Sequence, residues 1–134
     1  MNVKDVPHYN AYPYGRKSLC KYSIEDTGYG DLLCLEGYSG RLFYSSKRAV
    51  DLAMQRLSNR LKKGEYICLN DLYEELHIQK THFGHQYGWP ASDDWCEWKD
   101  GLKYECTFVY DKEFDKPMYV IDIYSYPMDC WQEV

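Results

Sequence analysis

The side chains whose types could do chemistry gather in one stretch: His77, His82 and His85, spaced five and three residues apart, with Cys96 eleven residues further on. Imidazole and thiolate are the ligands a zinc-class ion selects, and a thiol beside an imidazole is what nucleophilic catalysis needs. In His82-Phe83-Gly84-His85 the two imidazoles could chelate if the segment lies in a loop. A structural zinc site usually carries paired ligands such as Cys-x-x-Cys, whereas no two cysteines here are closer than ten residues. His82 and His85 therefore stand as the metal candidates, and polar histidines at helix ends are the simpler account. Cys96 lies in Trp95-Cys96-Glu97-Trp98, where strand alternation makes it a core residue before it makes it a nucleophile.

The other arrangements fare less well. Asp93-Asp94 and Glu74-Glu75 are adjacent pairs, and adjacent residues on a strand or helix point apart instead of converging on a substrate. Gly28-Tyr29-Gly30 precedes a strand, not a helix, and lacks the following Lys-Ser or third glycine of a phosphate loop. The expectation is a chain with no catalytic residue and no cofactor.

The elements that must position these residues can be read from apolar spacing. Residues 1–30 carry Pro7, Pro13, Gly15, Gly28 and Gly30 among scattered tyrosines, with neither a strand nor a helix period, and read as an arm. Residues 31–134 read as a single α+β domain. Leu32-Leu33-Cys34-Leu35 and Arg41-Leu42-Phe43-Tyr44, joined by Gly37-Tyr38-Ser39-Gly40, predict an N-terminal β-hairpin. Ser45 or Ser46 then caps a helix with Val50, Ala53, Met54, Leu57 and Leu61 on one face and Gly64 after its end.

Tyr66-Ile67-Cys68-Leu69 is extended, and Asn70 is placed to cap a brief second helix with Leu72 and Leu76 one turn apart. Thr81 starts a third helical turn that ends by Gly84 or Gly88. Leu102, Tyr104, Cys106, Phe108 and Tyr110 alternate with Lys103, Glu105, Thr107, Val109 and Asp111, which predicts a strand with one buried face. With Trp95 to Trp98 on one side and Met118 to Tyr126 on the other, the expected C-terminal end is a three-stranded antiparallel meander packed on two to three helices.

Composition bounds the partner. A net charge of −5 argues against binding through phosphate neutralisation, which needs clustered Lys and Arg. No stretch approaches the roughly 20 apolar residues of a membrane-spanning helix, and Met1 to Pro7 lack an apolar signal core, so the protein is expected to stay where it is made. Its six cysteines, Cys20, Cys34, Cys68, Cys96, Cys106 and Cys130, read as free thiols, mostly buried. Most of the fifteen tyrosines can fill the seams of a small domain, and the enrichment of tyrosine at interfaces assigns roughly a third to partner binding, which nominates Tyr9, Tyr12, Tyr14, Tyr22 and Tyr29 of the arm.

From Leu35 to Trp89 the chain carries Tyr38-Ser39-Gly40-Arg41, Leu57-Ser58-Asn59-Arg60-Leu61, Tyr66-Ile67-Cys68-Leu69-Asn70-Asp71-Leu72-Tyr73 and Gly84-x-x-x-Gly88-Trp89, in that order. In this it resembles a domain of unknown function found in small proteins of bacteriophages and integrated elements of Gram-positive bacteria, marked by an "sLNdfY" segment and a "GxxxGW" turn. The resemblance covers roughly residues 31–126. It implies a phage or prophage origin and an α+β fold, and it assigns no activity. The shared residues read as structural: Asn70 as cap, Leu72 and Tyr73 as anchors, Gly88 as a backbone turn and Trp89 as a large plug.

The expectation is then a non-enzymatic, phage-encoded protein-interaction module in the host cytoplasm or the virion. Its partner would be a phage structural protein, a host protein or a second copy, with no direct contact to nucleic acid or membrane. A virion accessory role stands first and inhibition of a bacterial defence or host nucleic-acid-binding protein second. A metal- or thiol-dependent enzyme using His77, His82, His85 and Cys96 is the rival.

Overall fold

In the computed structural model, residues 24–90 and 100–129 are described. In chain order they form β1 (Glu25–Asp26), β2 (Leu32–Glu36), β3 (Arg41–Ser45), α1 (Lys47–Lys62), β4 (Ile67–Cys68), α2 (Leu69–Leu76) and a 3-10 turn (His82–His85). β5 (Tyr87–Trp89), β6 (Tyr104–Asp111), β7 (Lys116–Ile123) and β8 (Met128–Asp129) follow. The class is α+β, as expected. The described residues divide into two compact units, one of residues 24–47 with 104–123, the other of residues 48–90 and 100–103 with 124–129.

The first unit is a five-stranded sheet in the order β1-β3-β2-β7-β6. The β2–β3 hairpin forms where the apolar runs predict it, with Cys34 opposite Phe43 and Glu36 opposite Arg41. Its turn is held from inside by Glu36, a fully buried residue whose two carboxylate oxygens accept the N–H groups of Tyr38 at 2.8 Å and Ser39 at 2.9 Å. Burial, the largest influence, pushes that carboxyl above its ordinary value, while the Ser39 hydroxyl, the two N–H donors and the Arg41 charge pull it back. Arg41 also pairs with Glu25 of β1, tying the sheet's outermost strand to the hairpin.

β6 and β7 pair antiparallel over their full lengths, two of the three strands expected in the meander. The third, Trp95 to Trp98, lies outside the described residues. The far side of β7 is taken by β2, in parallel, with Cys34 opposite Tyr119. The C-terminal strands thus join the N-terminal hairpin in one sheet, a non-local pairing that apolar periodicity does not encode. Along β6 the expected buried row does not hold: Tyr104 and Cys106 are half-buried, but beyond Thr107 the buried positions are Val109 and Asp111, while Phe108 and Tyr110 of the expected row are 47% and 44% exposed. Val109 packs with Leu33, Leu35, Met118 and Val120. Each such side chain contributes about 1.5–3 kcal/mol by leaving water.

In the second unit α1 buries the five apolar residues its spacing picks out, together with Ser58, whose Oγ accepts the Leu102 N–H at 2.9 Å. Gly64, at φ 86, closes the helix in the left-handed conformation that glycine adopts without strain. A three-stranded sheet, β4-β5-β8, is antiparallel throughout. At its centre Gly88 faces Cys68 on one side and Met128 on the other, so it is a paired strand residue and not the backbone turn that the sequence suggests.

Candidate functional site

The segment that carries the sequence's histidines is built from the start of α2. Cys68 occupies the N-cap position of this helix, and the Asp71 carboxylate reaches back to accept the Cys68 N–H at 2.8 Å. Asn70 is therefore not the cap. It sits inside the first turn, and its side-chain amide grips a later part of the chain: Nδ2 donates to the Thr81 carbonyl at 3.0 Å, and Oδ1 accepts the Thr81 N–H at 2.9 Å. An amide side chain offers a donor and an acceptor side by side, so it can satisfy both polar groups of one residue's backbone.

Between the two ends of this clamp the chain reverses. α2 terminates at His77, which takes the left-handed conformation at φ 64; its N–H donates to the Glu74 carbonyl at 3.1 Å, and the Ile78 N–H to Tyr73 at 2.9 Å. Lys80 then meets Glu74 at 2.7 Å. That hydrogen-bonded contact holds the Glu74 carboxyl below its ordinary value and the Lys80 ammonium above its own. Behind it Arg60 of α1 faces Glu65 at 3.1 Å, Glu75 at 3.7 Å and Asp71 at 3.9 Å. As solvent-accessible pairs, these contribute little individually.

Thr81 leads into the 3-10 turn, where the Gly84 N–H donates to the Thr81 carbonyl at 3.2 Å and the Gln86 N–H to Phe83 at 3.0 Å. Gly84 is buried against the Asn70 amide so closely that a Cβ there would run into it. With the turn fixed from behind, His82, Phe83 and His85 project outward, and Phe83 is 62% exposed, more than any other large apolar side chain described. The His82 ring lies edge-on to Phe83 at 5.0 Å between centres and edge-on to His85 at 6.1 Å. Tyr87, at the start of β5, is also exposed.

Two residues beyond Tyr87 the chain turns inward. Trp89 is fully buried, and its indole N–H donates to the Ser125 carbonyl at 2.7 Å. Ser125 Oγ in turn accepts the Lys103 N–H at 3.0 Å. Leu72 and Tyr73 on α2 are buried as well.

The structure brings His82 and His85 together and places His77 at the end of α2; Cys96 lies outside the described residues. No group of three or more His, Cys, Asp or Glu that could hold a metal occurs among the described residues. Cys34 and Cys68 are buried free thiols and Cys106 is half-buried. Tyr9, Tyr12, Tyr14 and Tyr22 lie outside the described residues, while Tyr29, in the turn before β2, is 53% exposed. No described helix is long and apolar enough to cross a membrane. Phe83 is the residue that sequence reasoning passed over, because a lone Phe between two histidines carries no sign of facing outward.

A family model matches residues 8–131, and it describes a family of unknown function, DUF6353. The chain belongs to that family. No curated protein and no solved structure matches it. The matched span takes in Asn70, the aromatic turn and Trp89, so both the clamp and the buried indole fall inside the family's region.

Proposed function

We propose that this chain is a non-enzymatic protein-interaction module whose contact surface centres on Phe83, flanked by His82 and His85 and continued by Tyr87. The observation that carries this reading is the exposure of Phe83 on a turn whose backbone is clamped from behind by Asn70. Binding energy concentrates in aromatic anchors that enter a partner's pocket. An anchor already fixed in place loses little conformational freedom on binding. The balance of 21 acidic against 16 basic residues favours a partner with a basic rim.

The setting that we propose is a bacteriophage or prophage of a Gram-positive host, on the motif resemblance of residues 31–126. In that setting the module is a virion accessory protein that contacts a phage structural protein, in the host cytoplasm before assembly and in the particle after it. Capture from infected-cell lysate with the intact protein and with Phe83→Ser tests the surface. A partner retained by the first and lost by the second, at equal thermal stability, is the expected result; retention by both removes Phe83 from the interface. Mass spectrometry of purified particles tests the role, because absence of the chain from particles ends the virion reading.

A further inference from the structure

We infer that the outward face of α1 is a second docking surface, for an acidic segment of a partner protein. The inference does not rest on the Phe83 reading and concerns a different element. Between residues 48 and 63 the exposed charged side chains are Arg48, Arg56, Lys62 and Lys63, and no acidic residue is exposed there. The other exposed positions hold two amides and Leu52, which is 36% exposed. Arg48, Leu52, Arg56 and Lys63 follow one another at intervals of four, four and seven, so they form one stripe with an apolar residue between two arginines. Lys63 stays on that path because its N–H donates to the Asn59 carbonyl at 3.1 Å, as in the helix itself.

Folding does not account for these cations. α1 has no acidic residue in its first turn, where Arg48 instead meets the positive end of the helix dipole. Among the described residues, Arg48, Lys62 and Lys63 form no ion pair. A helix face kept only for solubility gains from both signs interspersed, and the chain has 21 acidic residues against 16 basic ones from which to draw. The charge of the stripe states the partner's chemistry: carboxylates to meet the cations, and an apolar side chain against Leu52. The stripe is about 22 Å long, enough for a helix of some four turns laid along it. A nucleic-acid duplex fits less well. Glu65 and Glu75 stand at one margin, 3.1 and 3.7 Å from Arg60, and a partner that broad brings its phosphates onto them.

The test is fluorescence anisotropy on the full chain at low salt, with three labelled probes: a synthetic peptide of repeated Glu and Leu, its Gln-for-Glu analogue, and a DNA duplex. The Glu–Leu peptide should bind most tightly, and added salt should weaken it. Arg48→Glu and Lys63→Glu should each weaken it by about 10-fold, since an attraction becomes a repulsion, and Leu52→Ser by about 5-fold. Arg48→Glu places an acidic residue in the first turn, so thermal unfolding should show no loss of stability with it. Lys112→Glu, an equal change of net charge at an exposed site in the other unit, should leave binding unchanged, as should Phe83→Ser. The inference is overturned if the Glu–Leu peptide does not bind, if its Gln analogue binds equally, or if Lys112→Glu weakens binding as much as Lys63→Glu. Tighter binding of the duplex would make the face a nucleic-acid surface, and self-association abolished by Lys63→Glu would make its occupant a second copy; either result overturns it as well.

Discussion

Phe83 and Trp89 lie close together in the same unit, and the fold treats these two large aromatics in opposite ways. Trp89 is wholly buried, with its N–H satisfied by the Ser125 carbonyl; Phe83 is 62% exposed on a turn that a dedicated side-chain clamp holds outward. Trp89 contributes its area to folding. Phe83 withholds its area from folding while the backbone that carries it is held in place, and the proposed binding role rests on that combination.

The comparison can be broken in graded steps. Trp89→Ala should lower unfolding free energy by about 3–5 kcal/mol, read from chemical denaturation, since it opens a large cavity in the core. Trp89→Phe, which keeps most of the volume but leaves the Ser125 carbonyl without its indole donor, should cost about 1–3 kcal/mol. Gly84→Ala forces the Asn70 amide aside and should cost a similar 1–3 kcal/mol, roughly. It should also raise hydrogen exchange at Thr81. Phe83→Ser should change stability by no more than about 0.5 kcal/mol. A large loss of stability there would mean that Phe83 serves folding after all.

A milder contrast exists for thiols in the other unit, where Cys34 is buried and Cys106 half-buried. Burial pushes the Cys34 thiol from its ordinary 9.0 up to about 12, chiefly through desolvation. Because the folded value lies above the unfolded one, the stability associated with the neutral thiol is fully present below pH 9.0 and is lost as pH rises towards about 12. Cys34 should therefore resist labelling by a thiol reagent at pH 8 until the protein unfolds, whereas half-buried Cys106 should label in the folded state.

Local structure was legible in the sequence wherever one residue type has one use. The hairpin at Leu32 to Ser45, the face of α1 and the brief helix around Leu72 follow from spacing and turn residues, and all three are present. Asn70 was misread because an amide near a helix start can cap that helix or reach elsewhere, and only the fold brings Thr81 within its grasp. The row Tyr104, Cys106, Phe108 and Tyr110 was legible as one face of a strand, but tyrosine tolerates both water and burial, so alternation alone did not show how much of that row faces outward. The histidine pair was visible from its spacing. Phe83 between them was not, because exposure is a property of the clamp behind the turn.

The parallel pairing of β2 with β7 also governs how the molecule can be made. β2 and β3 leave the ribosome early and can zip into a hairpin at once, yet the edge of β2 finds its partner only after Lys116–Ile123 has been synthesised. At 5–20 residues per second that interval is on the order of 10 s, during which Leu33, Leu35 and an unpaired strand edge stand open to other nascent chains. A fold that defers its central pairing to so late in synthesis makes its yield sensitive to translation speed and to chaperone supply, independently of how stable the finished protein is.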